Sequence, residues 1–320
     1  MLLLFKPRDA MYLGEGTLPF GKFEDTSEWQ PITKCLETGA ERFPDKTMFR
    51  VGNPEGEITE SYTYKETNEW ANRVANGLKD EFGIKKGDKV GMYMLNCSEY
   101  VVSIIAIHKT GAVQVPINKD EKGERLAYVI NYSEMKALIV DPGSLSFLEE
   151  IAKDLKSLEV IFMTGDPASV PAEIGGIRTL PFSTFDKFGT DNTGVEVTIK
   201  DMERCMFTSG TTGMPKGVAR NHGGVVMTVR AYLQQQGIRS GDVLMSILSL
   251  GHANAQVMCL FSAMGAGATA VFFPRFSASS FWKWAANCGA TSVNMLGAVA
   301  EYLWAAETTE WDKKHKVRIM

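Results

Sequence analysis

Residues Thr208-Ser209-Gly210-Thr211-Thr212-Gly213-Met214-Pro215-Lys216-Gly217 hold three glycines, four hydroxyl side chains and one lysine in ten positions. Glycine carries no Cβ, so successive backbone N–H groups can turn toward a bound anion. The hydroxyls add donors, and Lys216 adds a mobile point charge suited to phosphate. The chemistry these residues suit is the cradling of nucleotide phosphates. The competing reading is a flexible Gly/Thr surface loop; the ordered ending Pro215-Lys216-Gly217 favours phosphate. A Walker loop is excluded. Counting from Gly210, Pro215 stands where that motif needs its second glycine, and Gly217 stands where it needs a magnesium-binding hydroxyl.

A second stretch, Leu248-Ser249-Leu250-Gly251-His252-Ala253-Asn254-Ala255-Gln256, leaves a strand-like run and enters a helix-like one. Such a crossing lies at the carboxyl edge of a parallel sheet, where ligands bind. On residue types alone, His252 is either a pocket residue or a core histidine satisfied by backbone groups. Asn254 and Gln256 are two apart and cannot share one helix face. One is expected to cap the helix while the other faces substrate. Gly297-Ala298 follows a third strand-like run at 291–295. Arg220 and His222 directly follow the phosphate loop and read as a helix start.

The elements that must position these residues alternate along the chain. Thr63 and Glu66 have capping-box spacing. Trp70, Ala71, Val74, Ala75, Leu78 and Phe82 then recur at helical spacing, and Gly83 stops that helix. Strands are expected at 89–95, 113–117, Ala137–Val140 and Val160–Met163, with Ser98 capping a helix that runs to Lys109. Further strands fall near 204–207, 243–248, 269–273 and 291–295. Helices fall near 222–236, 254–264, 277–287 and 298–306. Alternating βα units predict an α/β fold of two packed, mostly parallel sheets flanked by helices. The expected organisation is an N-terminal extension at 1–28, a first α/β subdomain at 29–190 and a second at 191–320 carrying the phosphate loop. Residues 165–200 are rich in Gly, Pro, Asp and Thr and read as a loop-bearing boundary.

Composition bounds the alternatives. With 34 basic and 38 acidic residues among 320, the net charge is −4. That balance argues against nucleic acid or an anionic membrane as partner. The five cysteines form no CxxC pair and the four histidines are scattered, so no metal-ligand spacing exists. Free thiols of a cytoplasmic protein are the expectation. Residues 246–274 contain no Lys, Arg, Asp or Glu, long enough to span a bilayer. Yet His252, Asn254, Gln256, Gly265 and Gly267 interrupt the run, which ends in the β-rich Ala270-Val271-Phe272-Phe273. A buried helix, a glycine turn and a buried strand are expected instead.

The chain resembles the adenylate-forming enzymes, which include acyl-CoA synthetases, aryl-CoA ligases, peptide-synthetase adenylation domains and luciferases. Residues 208–217 match the phosphate loop of that group at every fixed position. Tyr62-Thr63-Tyr64-Lys65-Glu66, a strand ending near Asn96, and Lys109-Thr110-Gly111-Ala112-Val113-Gln114-Val115-Pro116-Ile117-Asn118 follow in the same order. Ser277-Ala278-Ser279-Ser280-Phe281-Trp282, Asn254-Ala255-Gln256 and 312–318 look like the carnitine/crotonobetaine-CoA ligase branch.

The resemblance implies ATP-dependent, AMP-forming activation of a small or medium carboxylic acid. Acyl-adenylate would form first and a CoA thioester second, with ATP and Mg2+ as cofactors and CoA as co-substrate. It implies phosphate contacts from Thr208, Ser209, Gly210, Thr211, Thr212, Gly213, Lys216 and Gly217. It gives Lys216 and His252 catalytic roles, and lines an acyl pocket with His252, Asn254, Gln256, Gly297 and Ala298. It assigns no metal ligand in this stretch, and leaves a homodimer open. The family's adenine loop, its magnesium-binding glutamate, its ribose aspartate, its β-barrel subdomain and its C-terminal lid would follow position 320. The chain reads as the amino-terminal portion, inactive alone. The rivals are a carrier-protein adenylation module and a non-catalytic nucleotide-binding or scaffold protein.

Overall fold

A computed structural model describes residues 26–208 and 213–320. Most of the expected extension 1–28 lies outside the described residues, as do Ser209, Gly210, Thr211 and Thr212. The strands are β1 Thr47–Gly52, β2 Ile58–Thr63, β3 Lys89–Tyr93, β4 Val113–Pro116, β5 Ala137–Val140, β6 Val160–Met163, β7 Glu173–Ile174, β8 Ile177–Pro181, β9 Met202–Thr208, β10 Lys216–Asn221, β11 Val243–Ser246, β12 Thr269–Phe272 and β13 Ser292–Asn294. The α-helices are α1 Ile32–Arg42, α2 Tyr64–Asp80, α3 Ser98–Lys109, α4 Gly123–Ser133, α5 Leu145–Ile151, α6 His222–Gln236, α7 Ser262–Ala266, α8 Phe281–Cys288 and α9 Gly297–Ala305.

Two sheets result. One has five strands in the order β13-β11-β12-β1-β2, the other eight in the order β10-β9-β4-β3-β5-β6-β8-β7. Pairing is parallel except for β1/β2, β9/β10 and β7/β8. Strands cross between the halves of the chain: β1 pairs with β12, with Phe49 opposite Ala270, and β4 pairs with β9, with Gln114 opposite Arg204.

Period-two alternation explains the layering. On β5, Ala137 and Ile139 join a middle core while Leu138 and Val140 join an outer one under α4 and α5. On the five-stranded sheet, Leu244, Ala270 and Phe272 face that same middle core, whereas Met245, Val271 and Phe273 face α8. Helices α1, α2, α3 and α6 contribute to the middle core. Both faces of each sheet are therefore covered, which is why the strands read as continuous apolar runs. Helix α3 is buried nearly all round, as expected of a helix between two sheets.

Local signals are met at α2, where Thr63 accepts from the Glu66 amide and the Glu66 carboxylate accepts from the Thr63 amide. Ser98 departs from expectation. Cys97 holds the cap position of α3, and the Ser98 hydroxyl instead donates to Glu60 at 2.7 Å. A nearby carboxylate outcompetes the local amide. The uncharged stretch starts at the last residue of β11 and forms a π-helix at Ala255–Phe261, α7, a left-handed turn at Gly267 and β12. No helix among the described residues is long and apolar enough to cross a membrane. Residues 188–201 run without regular structure over α2. Their carbonyls accept from Asn72, Asn76 and Lys79.

Candidate active site

The described ends of the expected phosphate loop pair as two antiparallel strands, β9 and β10. Lys216 lies opposite Thr208, and Gly217 lies opposite Phe207. An additional edge strand, β10, therefore stands between the loop and α6, where the sequence had suggested a direct passage into helix. Its residues Lys216–Asn221 are all exposed. With no buried face, β10 has no apolar alternation to read. Gly213 has φ +107°, and a Cβ there would meet nothing within 4 Å. The backbone angle, and not crowding, calls for glycine. Of the expected phosphate contacts, Thr208, Gly213, Lys216 and Gly217 sit together on this hairpin. Arg220 is exposed on β10. His222 begins α6, which Asn221 caps by accepting from the Gly224 amide at 2.9 Å.

The loop after β11 is held by Asn96. Its amide donates to the carbonyls of Leu248 and Phe273, both at 2.9 Å, and its oxygen accepts from the Leu250 amide at 2.7 Å. One side chain at the end of β3 thus ties the carboxyl ends of β11 and β12 to the eight-stranded sheet. His252 is exposed on this loop. Asn254 occupies the cap position of the π-helix, but its side chain pairs with Asn294 and caps nothing. That pair joins the 252–254 segment to the end of β13, just before Gly297 and Ala298. Both of these are exposed, and a Cβ at Gly297 would meet open space. Close strand–helix packing therefore does not account for Gly297.

Gln256 lies elsewhere. It is 0% exposed, and its amide donates to the Leu250 carbonyl at 2.7 Å and to Gln114 Oε1 at 3.1 Å. Gln114 donates back to Gln256 Oε1 at 3.0 Å and to Glu203 Oε1 at 2.7 Å. His108 Nε2 and Arg204 Nη1 each lie 3.3 Å from the same Glu203 oxygen. The two amide hydrogens of Gln114 are used by Glu203 and Gln256, so His108 Nε2 serves as the donor to Glu203. Burial opposes ionisation of Glu203, but the hydrogen bond from His108 and the nearby positive charges outweigh it and hold its carboxyl below the usual range. His222, edge-on to His108 at 5.1 Å, is pushed down to about 3 by burial and by His108. It is neutral at neutral pH.

Residues 36–320 match the family described as AMP-binding enzyme. The chain belongs to the AMP-binding enzyme family. It is 29% identical over 290 residues to the crotonobetaine/carnitine–CoA ligase of Proteus mirabilis, covering 90% of this chain and 55% of that protein. The enzyme of the same name from Salmonella typhi is 29% identical over 295 residues, again 55% of its length. The chain spans about half the length of the curated relatives it matches. Among solved structures, the anthranilate CoA ligase AuaEII in complex with anthranoyl-AMP superposes with a TM-score of 0.80 at 24% identity, covering 90% of this chain and 54% of that one. The N-terminal domain of FACL13 from Mycobacterium tuberculosis gives 0.75 at 23% identity, over 90% and 68%. At these identities the superpositions establish the fold: two mostly parallel sheets flanked by helices.

For a member of this family, the sequence motifs left several positioning groups unnoticed. Asn96 was visible only as the end of a strand. Gln114 was the better signal, an amide inside the otherwise apolar, fully buried β4. A buried amide demands partners, and they come from elements that no local pattern could name.

Proposed function

We propose that the protein activates a small or medium carboxylic acid with ATP and passes the acyl group to CoA. The observation that carries this proposal is the ten-residue loop that matches the family pattern at every fixed position, its two described ends, Thr208 and Lys216, paired on an exposed edge hairpin. In the first step a carboxylate oxygen bonds to the α-phosphorus and the bond to pyrophosphate breaks. Thr208, Gly213, Lys216 and Gly217, with Ser209, Gly210, Thr211 and Thr212, stabilise the charge that develops on the leaving pyrophosphate. In the second step the CoA sulfur bonds to the acyl carbon and AMP leaves. His252, Asn254, Gly297 and Ala298 border the acyl group, and Gln256 supports that border from within. Magnesium would enter with ATP. The resemblance assigns magnesium no ligand in this stretch. A homodimer is part of the same proposal.

Lys216 supplies the test. Losing one charge-assisted phosphate contact costs on the order of 1.5–3 kcal/mol. In a form extended to the length of the relatives, Lys216→Ala should slow ATP–pyrophosphate exchange by roughly 10- to 100-fold, with carboxylate affinity little changed. Equal exchange rates in variant and parent would reject the assignment. A non-catalytic nucleotide-binding role would leave ATP binding intact and exchange absent in the extended parent.

A further inference from the structure

The polar chain through Gln256 joins elements that carry opposite ends of the candidate site. Gln114 lies on β4 and Glu203 on β9, both in the eight-stranded sheet, whereas Gln256 lies on the π-helix between two strands of the five-stranded sheet. Glu203 is five residues before Thr208, where the phosphate loop begins, on the strand that pairs with Lys216. Gln256 is four residues after His252 and two after Asn254. The amides of Gln114 and Gln256 exchange two hydrogen bonds, at 3.0 and 3.1 Å, so each fixes the rotamer of the other. The Leu250 carbonyl closes one end at 2.7 Å, and the Glu203 carboxylate closes the other at 2.7 Å. Every side chain in this path is 0% exposed. Water offers no substitute, and a slip of either element strands an amide or a carboxylate without its partner.

We propose that Gln256, Gln114 and Glu203 form a positioning network that sets the phosphate-loop strand and the His252–Asn254 loop in one register. None of the three touches reacting atoms; they act through the elements they hold. The π-helix fits this role. Ser262 donates to the Val257 carbonyl five residues back at 2.8 Å, so the wide turn is internally supported and can present Gln256 inward while His252 stays exposed. The network rests on the proposed function only for what its two ends bind. Its mechanical coupling is measurable without any substrate.

The experiment is amide hydrogen exchange on the 320-residue chain. Gln256→Met should raise exchange about tenfold across the described parts of the hairpin, 202–208 and 216–221, on the opposite sheet. Cys259→Ala, which removes one buried hydrogen bond, to the Leu244 carbonyl, in the same π-helix, should leave the hairpin unchanged. Glu203→Gln should raise exchange reciprocally in 250–258. It carries the test from the other end if Gln256→Met fails to fold, with Gln114→Met as a further variant. Changes confined to 250–266 in Gln256→Met and to 202–221 in Glu203→Gln would mean local packing only and would overturn the proposal. Adding ATP with magnesium to the parent chain should protect both the hairpin and 250–256. Protection that stops at the hairpin counts against the network. No protection anywhere counts against the phosphate assignment, while the ligand-free comparison still decides the coupling.

Discussion

His222 and Lys216 lie six residues apart and do opposite electrostatic work. Lys216 is exposed on an edge strand, where the proposed phosphate contact needs it. His222 is buried, and burial with His108 pushes it from an ordinary 6.5 down to about 3. The folded protein therefore keeps the imidazole neutral while the unfolded chain protonates it below 6.5. Its contribution to stability is complete above pH 6.5 and declines as pH falls toward 3. Between pH 7 and pH 5 this single group should remove roughly 2 kcal/mol. Urea midpoints at the two pH values should differ more in the parent than in His222→Leu. An equal pH dependence in both would show that His222 does not carry the acid sensitivity.

Elements here are fastened by a few side chains with long reach. The capping box at Thr63 and Glu66 is local; Thr63→Ala should cost about 1 kcal/mol and lower the melting temperature by a few degrees. Asn96 is not local. It holds two carbonyls and one amide on segments more than 150 positions away. Asn96→Ala leaves those groups without it and should cost roughly 3 kcal/mol, well beyond the capping change. Calorimetry on both variants checks the order. If Asn96→Ala melts no lower than Thr63→Ala, the Asn96 bonds do not fasten the loop that bears His252.

At the scale of the whole molecule, α9 is covered on little of its surface. Val299 is its buried residue, whereas Tyr302 is 62% and Trp304 92% exposed, beside Leu296 at 52%. Large exposed apolar side chains of this kind favour association. The 320-residue chain should self-associate in sedimentation, and Trp304→Ser should shift it toward monomer; a monomeric parent at high concentration removes this expectation. The same chain should fold yet form no CoA thioester. It spans about 55% of the length of the ligases it matches. A thioester assay with short, branched and trimethylammonium acids decides this; robust turnover by the chain alone would contradict it.

By itself the sequence determined what depends on near neighbours. The capping box at Thr63, the buried strands from β3 to β6 and the helix His222–Gln236 are written in composition and period, since each is set by residues a few positions apart. The division of the uncharged stretch into a buried helix, a glycine turn and a buried strand was legible for the same reason. Tertiary structure alone decided which strand joined which sheet. It placed β1 beside β12 across more than 200 residues, and it added β10, whose exposed face carries no pattern. It also drew Gln256 inward, away from the surface where His252 remains. Whether an amide faces ligand or core depends on whether a partner waits inside. The partners of Gln256 are Gln114, 142 positions away, and through it Glu203. Period and spacing describe one element at a time; burial and hydrogen bonding are settled between elements, by which polar groups the closed core can satisfy.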